Sequence, residues 1–140
     1  PGQDLFQYYD DNGARHCIGS GDVNCYIKEI TGEDFTAKDF RAWAGSVNAL
    51  CGFLSMDECT SATDCKRKVT EVIDSVAKKL GNTRTVCKKY YIDPTVIATF
   101  ENGNISKYKP GEDIANNKLN PDEEALVRLL ENEKIAEVAA

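Results

Sequence analysis

ATDCKRKVTEVIDSVAKKLGNTRTVCKKYYIDP, residues 62–94, carries most of what decides the fold. In its first part Cys65, Val69, Val72, Ile73, Val76 and Leu80 recur at steps of three or four, the pattern of a helix with one buried face. Gly81 is suited to end that helix, because glycine takes a left-handed conformation there without steric cost. A short helix around Val86 to Ile92 follows, and it stops before Pro94 because the residue preceding proline avoids helical angles. Asp93 and Pro94 then serve as N-cap and first residue of another helix, PTVIATFEN. Two adjacent tyrosines, Tyr90 and Tyr91, stand in this stretch behind Arg84, Lys88 and Lys89. One of them could be a nucleophile, and both could equally be packing and surface.

Working outward, FTAKDFRAWAGSVNALCGFLSM reads as a long helix with Thr36 as N-cap and Asp39 in the first turn, where a carboxylate suits the helix dipole. Phe40, Trp43, Val47, Leu50 and Leu54 form its expected buried stripe. Before it, DVNCYIKEIT reads as a short helix capped by Ser20 or Asp22, with Val23, Tyr26, Ile27 and Ile30 on one face and a break at Gly32. The opening residues form two short strands around Asn12-Gly13, a pair suited to a two-residue hairpin turn. GNISKYKPGEDIANNK has no period and reads as a loop. NPDEEALVRLLENEKIAEVAA closes the chain as an amphipathic helix, with Asn120 and Glu123 in capping-box positions. The expected fold class is mainly α with an N-terminal β-hairpin: hairpin in 1–19, helical region in 20–105, loop in 106–119 and final helix in 120–140.

A chain of 140 residues with 41% hydrophobic and 29% charged residues suits one globular domain with a single core. No apolar run approaches the roughly 20 residues needed to cross a bilayer, so no membrane partner is expected. The first residues lack a signal-peptide pattern, and a start at proline reads as a fragment or processed product. The six cysteines are irregularly spaced without a C-x-x-C, and His16 is the only histidine, which argues against structural zinc. Several fall at apolar helical positions where a thiol packs as a small hydrophobe. Reduced cysteines in a cytoplasmic protein are therefore expected, with neither metal nor disulfide.

The net charge of −6 argues on its face against a nucleic-acid partner. The average hides an asymmetry, since the stretch from Lys66 to Lys89 holds eight positive residues against Glu71 and Asp74. Such a run is a solvated helix face in most proteins and a phosphate-facing surface in some.

Three blocks together resemble one family. PGQDLFQYYDDNG, DVNCYIKEITGEDFTAKDFRAWAGSV and LGNTRTVCKKYYIDP, in this order, are similar to the C-terminal part of the catalytic domain of type IB DNA topoisomerases, of the bacterial and poxvirus kind. The resemblance covers Pro1 to about Ile105. It implies the helical catalytic fold shared with tyrosine recombinases. It also implies an enzyme in which a tyrosine attacks a phosphodiester of duplex DNA and becomes joined to the 3′ phosphate. The cut strand swivels to relax supercoils, and the 5′ hydroxyl reseals the break without ATP, metal or other cofactor.

VCKKYYIDP matches the family pattern V-C-R-K-x-Y-(I/V)-H-P, which puts the nucleophile on Tyr91 and leaves Tyr90 at the variable position. Asp93 replaces the pattern's histidine, past the nucleophile. TAKDFRAW matches the segment with the second catalytic arginine, here Arg41. The family's histidine or asparagine nine residues before the tyrosine falls on Asn82. Lys38, Arg84, Lys88 and Lys89 become candidate contacts to DNA phosphates. The family site also needs another arginine and a lysine general acid, both in a preceding part of the catalytic domain to which no segment here corresponds. A separate N-terminal DNA-clamping domain has no counterpart either. The implied partners are thus duplex DNA and the missing N-terminal part of the same polypeptide, in a monomeric enzyme of the bacterial cytoplasm or one encoded by a virus.

The chemistry suits these residue types. A phosphoryl transition state gathers charge on its non-bridging oxygens, and preorganised donors aimed at them are the main catalytic device. Arginine offers a permanently charged fork and asparagine a neutral amide. A phenol titrates near 10, and nearby cations favour its ionised form. Taken singly, each residue has an ordinary reading: Tyr91 as core or surface, Arg41 as an ion-pair partner, Asn82 as helix-end chemistry and Trp43 as core. A tyrosine recombinase is the nearest alternative, although such enzymes carry histidine where Lys38 stands. A DNA-binding module without chemistry is another, and a zinc module the weakest.

Overall fold

The computed structural model describes residues 5–111 and 119–139, with side chains as far as 132. The chain divides into two compact units, Pro1–Phe40 and Arg41–Ala140. It is mainly α-helical with a short antiparallel hairpin, as the sequence implies.

In the first unit, β1 (Gln7–Tyr9) pairs with β2 (Arg15–Cys17) in the register Gln7↔Cys17, Tyr8↔His16, Tyr9↔Arg15. The turn is longer than the expected Asn12-Gly13 pair. Asp10 N–H donates to the Ala14 carbonyl, Gly13 N–H donates to the Asp10 carbonyl, and Gly13 takes a φ of 77°. That is a three-residue connection with a left-handed glycine. The Asp10 carboxylate explains it by accepting the backbone N–H groups of Asn12 and Ala14 and pairing with His16 Nε2 at 2.9 Å. These bonds hold the Asp10 carboxyl below its usual range, that to His16 first.

The first helix, α1 (Ser20–Thr31), is capped by Gly19 rather than by Ser20, and Asp22 reaches back to accept the Gly19 N–H at 2.8 Å. Gly32 closes it with a φ of 69°. Of its expected inward face, Val23, Tyr26 and Ile30 are exposed and Ile27 is half-buried, and no described residue of this unit is buried.

The second unit holds the core. Helix α2 (Ala37–Leu54) begins in the first unit and continues into the second. It is followed by α3 (Ala62–Leu80), α4 (Arg84–Tyr90) and α5 (Pro94–Glu101). A 3-10 turn at Ile105–Tyr108 and α6 (Pro121–Ala139) complete it. Helix α3 packs on α4, and α5 and the 3-10 turn pack on α6. Leu50 and Phe53 of α2, Ile73 and Val76 of α3, Val96 of α5 and Leu126 and Leu129 of α6 are fully buried together. Phe53 and Phe100 stack with centroids 4.5 Å apart.

Three differences from the sequence reading have physical causes. The buried stripe of α2 runs through Gly45, Ser46, Ala49, Leu50 and Phe53, while Phe40 is exposed and Trp43, Val47 and Leu54 are half-buried. Small residues let neighbouring backbone and side chains come close on that side, so bulk alone does not mark the inner face. The stretch read as a loop contains the 3-10 turn, whose Ile105 and Tyr108, three positions apart, are both buried; its residues 112–118 lie outside the described part.

The expectation of six reduced cysteines is overturned by a disulfide between Cys59 and Cys65. Cys65 lies in the first turn of α3 and Cys59 in the loop before it, which folds back so that their Cα atoms are 5.0 Å apart. Lys68 supports that fold-back. It is buried, and its Nζ donates to the carbonyls of Asp57 and Glu58 and pairs with Asp64 at 2.9 Å.

Other caps are as read. Gly81 ends α3 at a φ of 64°, and Asp93 caps α5 by accepting the Thr95 N–H at 2.8 Å; Ser61, not singled out in the sequence, caps the start of α3. Asn120 and Glu123 exchange reciprocal bonds at the start of α6. Among the described residues no helix is long and apolar enough to cross a membrane.

Candidate active site

The site is built where α3 ends. The last carbonyls of a helix have no partner within it and must find donors elsewhere. Gly81 turns left-handed, and Asn82 N–H reaches back to the Ala77 carbonyl at 2.9 Å, satisfying one of them. The Leu80 carbonyl takes its donors from two side chains. Asn82 Nδ2 donates to it at 3.0 Å, and Arg41 Nη2, from α2, donates at 2.7 Å. The helix dipole places partial negative charge at this end, which favours the guanidinium there.

From the same position the Arg41 guanidinium lies over the Tyr91 ring, 5.0 Å from its centroid. Such a cation–π contact is worth about 0.5–1 kcal/mol near a surface. Arg41, Asn82 and Tyr91, scattered through the sequence, therefore meet in one place. Arg41 and Asn82 converge on a single oxygen, and Arg41 bridges that oxygen to the phenol ring.

The two tyrosines are separated by a helix end. Tyr90 is the last residue of α4 and is 46% exposed, with Lys89 Nζ 5.1 Å from its ring centroid. Tyr91 is the C-cap with a φ of −124°, is half-buried, and packs against the core. Its N–H donates to the Cys87 carbonyl at 2.9 Å. Cys87 itself is fully buried, and burial pushes its thiol up against a smaller opposing effect of Arg41. It stays a protonated hydrophobe beside the site.

Two features beside Tyr91 escape sequence reasoning. Gly45 of α2 faces the Tyr91 backbone so closely that a Cβ would overlap the Tyr91 carbonyl oxygen and lie 2.9 Å from its carbonyl carbon. Ser46 Oγ accepts the Asp93 N–H at 2.9 Å. A glycine inside a helical pattern costs about 1 kcal/mol against alanine, and that was the available signal.

Residues 1–118 match the family described as eukaryotic DNA topoisomerase I, catalytic core. The chain belongs to the type IB DNA topoisomerase family. A DNA topoisomerase 1B of Acanthamoeba polyphaga mimivirus is 29% identical over 108 residues, which cover 72% of this chain and 32% of that relative. The chain thus spans about a third of the relative's length.

The expected DNA contacts of this chain are placed less uniformly than its central three residues. Lys88 and Lys89 are exposed in the last turn of α4. Arg84 is committed to Asp74 through two hydrogen bonds of 2.5 Å, which hold the Asp74 carboxyl below its usual range. Lys38 is exposed in the first turn of α2 and belongs to the first unit. Trp43 is more than packing: its Nε1 donates to Glu123 Oε1 at 3.0 Å and ties α2 to the start of α6. Among the described residues, no three His, Cys, Asp or Glu side chains gather as metal ligands.

Proposed function

We propose that this chain is the nucleophile-bearing part of a DNA topoisomerase that relaxes supercoiled duplex DNA through a 3′-phosphotyrosyl intermediate. The observation that carries the proposal is the convergence of Arg41 and Asn82 on one oxygen, with Arg41 over the Tyr91 ring. Two donors already aimed at a shared acceptor can receive a phosphate oxygen in its place at little reorganisation cost.

In this reading the Tyr91 oxygen attacks the scissile phosphorus and loses its proton. The bond from phosphorus to the 5′ oxygen breaks, and that oxygen takes a proton from a general acid. Arg41 and Asn82 hold the non-bridging oxygens as their charge grows. Reversal after strand rotation reseals the duplex, so no net bond is lost and neither ATP nor a metal enters the balance. The general acid and a further arginine come from the part of the family's catalytic domain that this chain does not span. Lys88 and Lys89 contact flanking phosphates, whereas Arg84 does so only by leaving Asp74. The protein acts as a monomer in a bacterial cytoplasm or as a virus-encoded enzyme. The retention of all three residues favours this reading over a scaffold that merely binds DNA.

The test is single-turnover cleavage of a duplex by the full-length protein at saturating protein. Arg41→Ala and Asn82→Ala are each expected to slow cleavage by about a hundredfold to a thousandfold, the usual cost of one lost oxyanion donor. Wild-type rates in both variants would overturn the assignment.

A further inference from the structure

We infer that Gly45 and Ser46 are positioning residues that set where Tyr91 stands relative to Arg41; the inference rests on the function proposed above. Tyr91 has left α4, so the helix no longer fixes its backbone beyond the single bond to the Cys87 carbonyl. Ile92 follows, its N–H sharing the Cys87 carbonyl at 3.1 Å and its side chain buried, and then comes Asp93, the N-cap of α5. Beside these anchors the main chain of this segment also leans on α2, at two consecutive residues.

At the first, Gly45, the Tyr91 carbonyl enters space that any side chain would fill. Glycine is not needed there for its backbone angles, because Gly45 is not among the glycines with positive φ. It sits inside a helix, where it is disfavoured by about 1 kcal/mol relative to alanine. Close approach of the Tyr91 backbone is what the position provides. At the second, the buried Ser46 hydroxyl accepts the Asp93 N–H, while the Asp93 carboxylate is occupied with the Thr95 N–H. Segment 91–93 is thereby held from the α2 side by one steric and one polar contact.

The same helix carries Arg41 one turn earlier, and residues four apart lie on one face. A single turn of α2 therefore carries both Arg41, whose guanidinium the Leu80 carbonyl holds, and the close contact to the backbone of the tyrosine beneath it. The guanidinium and the Tyr91 ring, 5.0 Å apart, thus meet from roots that the same helix turn positions. A shift of the nucleophile by about 1 Å can cost on the order of a hundredfold in rate, so these contacts bear on catalysis without touching DNA.

The experiment uses the full-length protein and a nicked-duplex suicide substrate, with Ser46→Ala and Gly45→Ala beside wild type. Cleavage rate at saturating protein, DNA dissociation constant and thermal midpoint are measured together, with cleavage read well below the midpoint. Ser46→Ala is expected to cleave about tenfold to a hundredfold more slowly while binding DNA within about twofold of wild type. Gly45→Ala is expected to lose more, and if it fails to fold, Ser46→Ala decides alone. A lowered midpoint with an unchanged cleavage rate in Ser46→Ala would overturn the inference, because the hydroxyl would then serve only the folded state. Absence of an adduct from wild type would overturn the proposed function and this inference with it.

Discussion

At the scale of single residues, backbone carbonyls and buried charges settle more than side-chain type does. Leu80 contributes its carbonyl oxygen, and no reading of its side chain could have found it. Lys68 is a buried lysine on a helix face that otherwise holds Cys65, Val69 and Val72, satisfied by two carbonyls and by Asp64. Asp64 is in turn held well below the usual carboxylate range, first by Lys68, then by the Thr60 N–H and by Arg67. A carboxyl whose folded pKa is depressed contributes stability that is fully present above its unfolded value near 4. That contribution is lost as pH falls through the lower folded value. Thermal midpoints between pH 7 and pH 2 are therefore expected to fall less steeply on acidification for Asp64→Asn than for wild type, from a lower start. Parallel curves would show that Asp64 is not a source of the acid sensitivity. The candidate site residues Arg41, Asn82 and Tyr91 were legible only through family resemblance, because each alone has an ordinary reading. Gly45 and Ser46 were not legible, since their partners Tyr91 and Asp93 lie more than forty positions away in sequence.

At the scale of elements, the helices announced themselves through period and caps. Gly81, Asp93 and Asn120 all stand at helix ends, because capping is chemistry local to a few residues. Faces were harder to read. In α2 the most buried side is lined by Gly45, Ser46 and Ala49 beside Leu50 and Phe53, so ranking by bulk found Leu50 and the core-packed Trp43, Val47 and Leu54 but missed the small residues and wrongly included Phe40. The hairpin turn was misread because Asp10, outside the Asn12-Gly13 pair, supplies the bonds that close a wider loop. The disulfide is another tertiary decision: the loop before α3 folds back onto its first turn, which spacing alone does not encode. Closing so short a loop restricts the unfolded chain by about 2 kcal/mol. Reduction is accordingly expected to lower the urea midpoint measurably, and Cys59→Ser is expected to remove the difference between oxidised and reduced protein. Equal midpoints in the presence and absence of reductant would contradict a stabilising bond.

At the scale of the whole molecule, four of the eight positive residues between Lys66 and Lys89 are engaged by the protein itself. Arg67 pairs with Asp64 and Glu71, Lys68 is buried, Lys79 donates to Asn48 and Arg84 holds Asp74. The acidic helix α6, whose role was not readable, packs Ala125, Leu126 and Leu129 into the core and reaches Trp43 through Glu123. A chain of net charge −6 with half of its basic run so engaged is expected to hold DNA poorly alone, and it spans about a third of its viral relative. The 140 residues by themselves are expected not to relax supercoiled plasmid; efficient relaxation would show that the further arginine and lysine are dispensable. The central claim is that Tyr91, beneath Arg41, is the nucleophile. The full-length protein, incubated with a nicked-duplex suicide substrate as wild type, Tyr90→Phe and Tyr91→Phe, is read for a covalent protein–DNA band. Loss of the band in Tyr91→Phe alone is the expected result, whereas a band that survives Tyr91→Phe and disappears in Tyr90→Phe would contradict the claim.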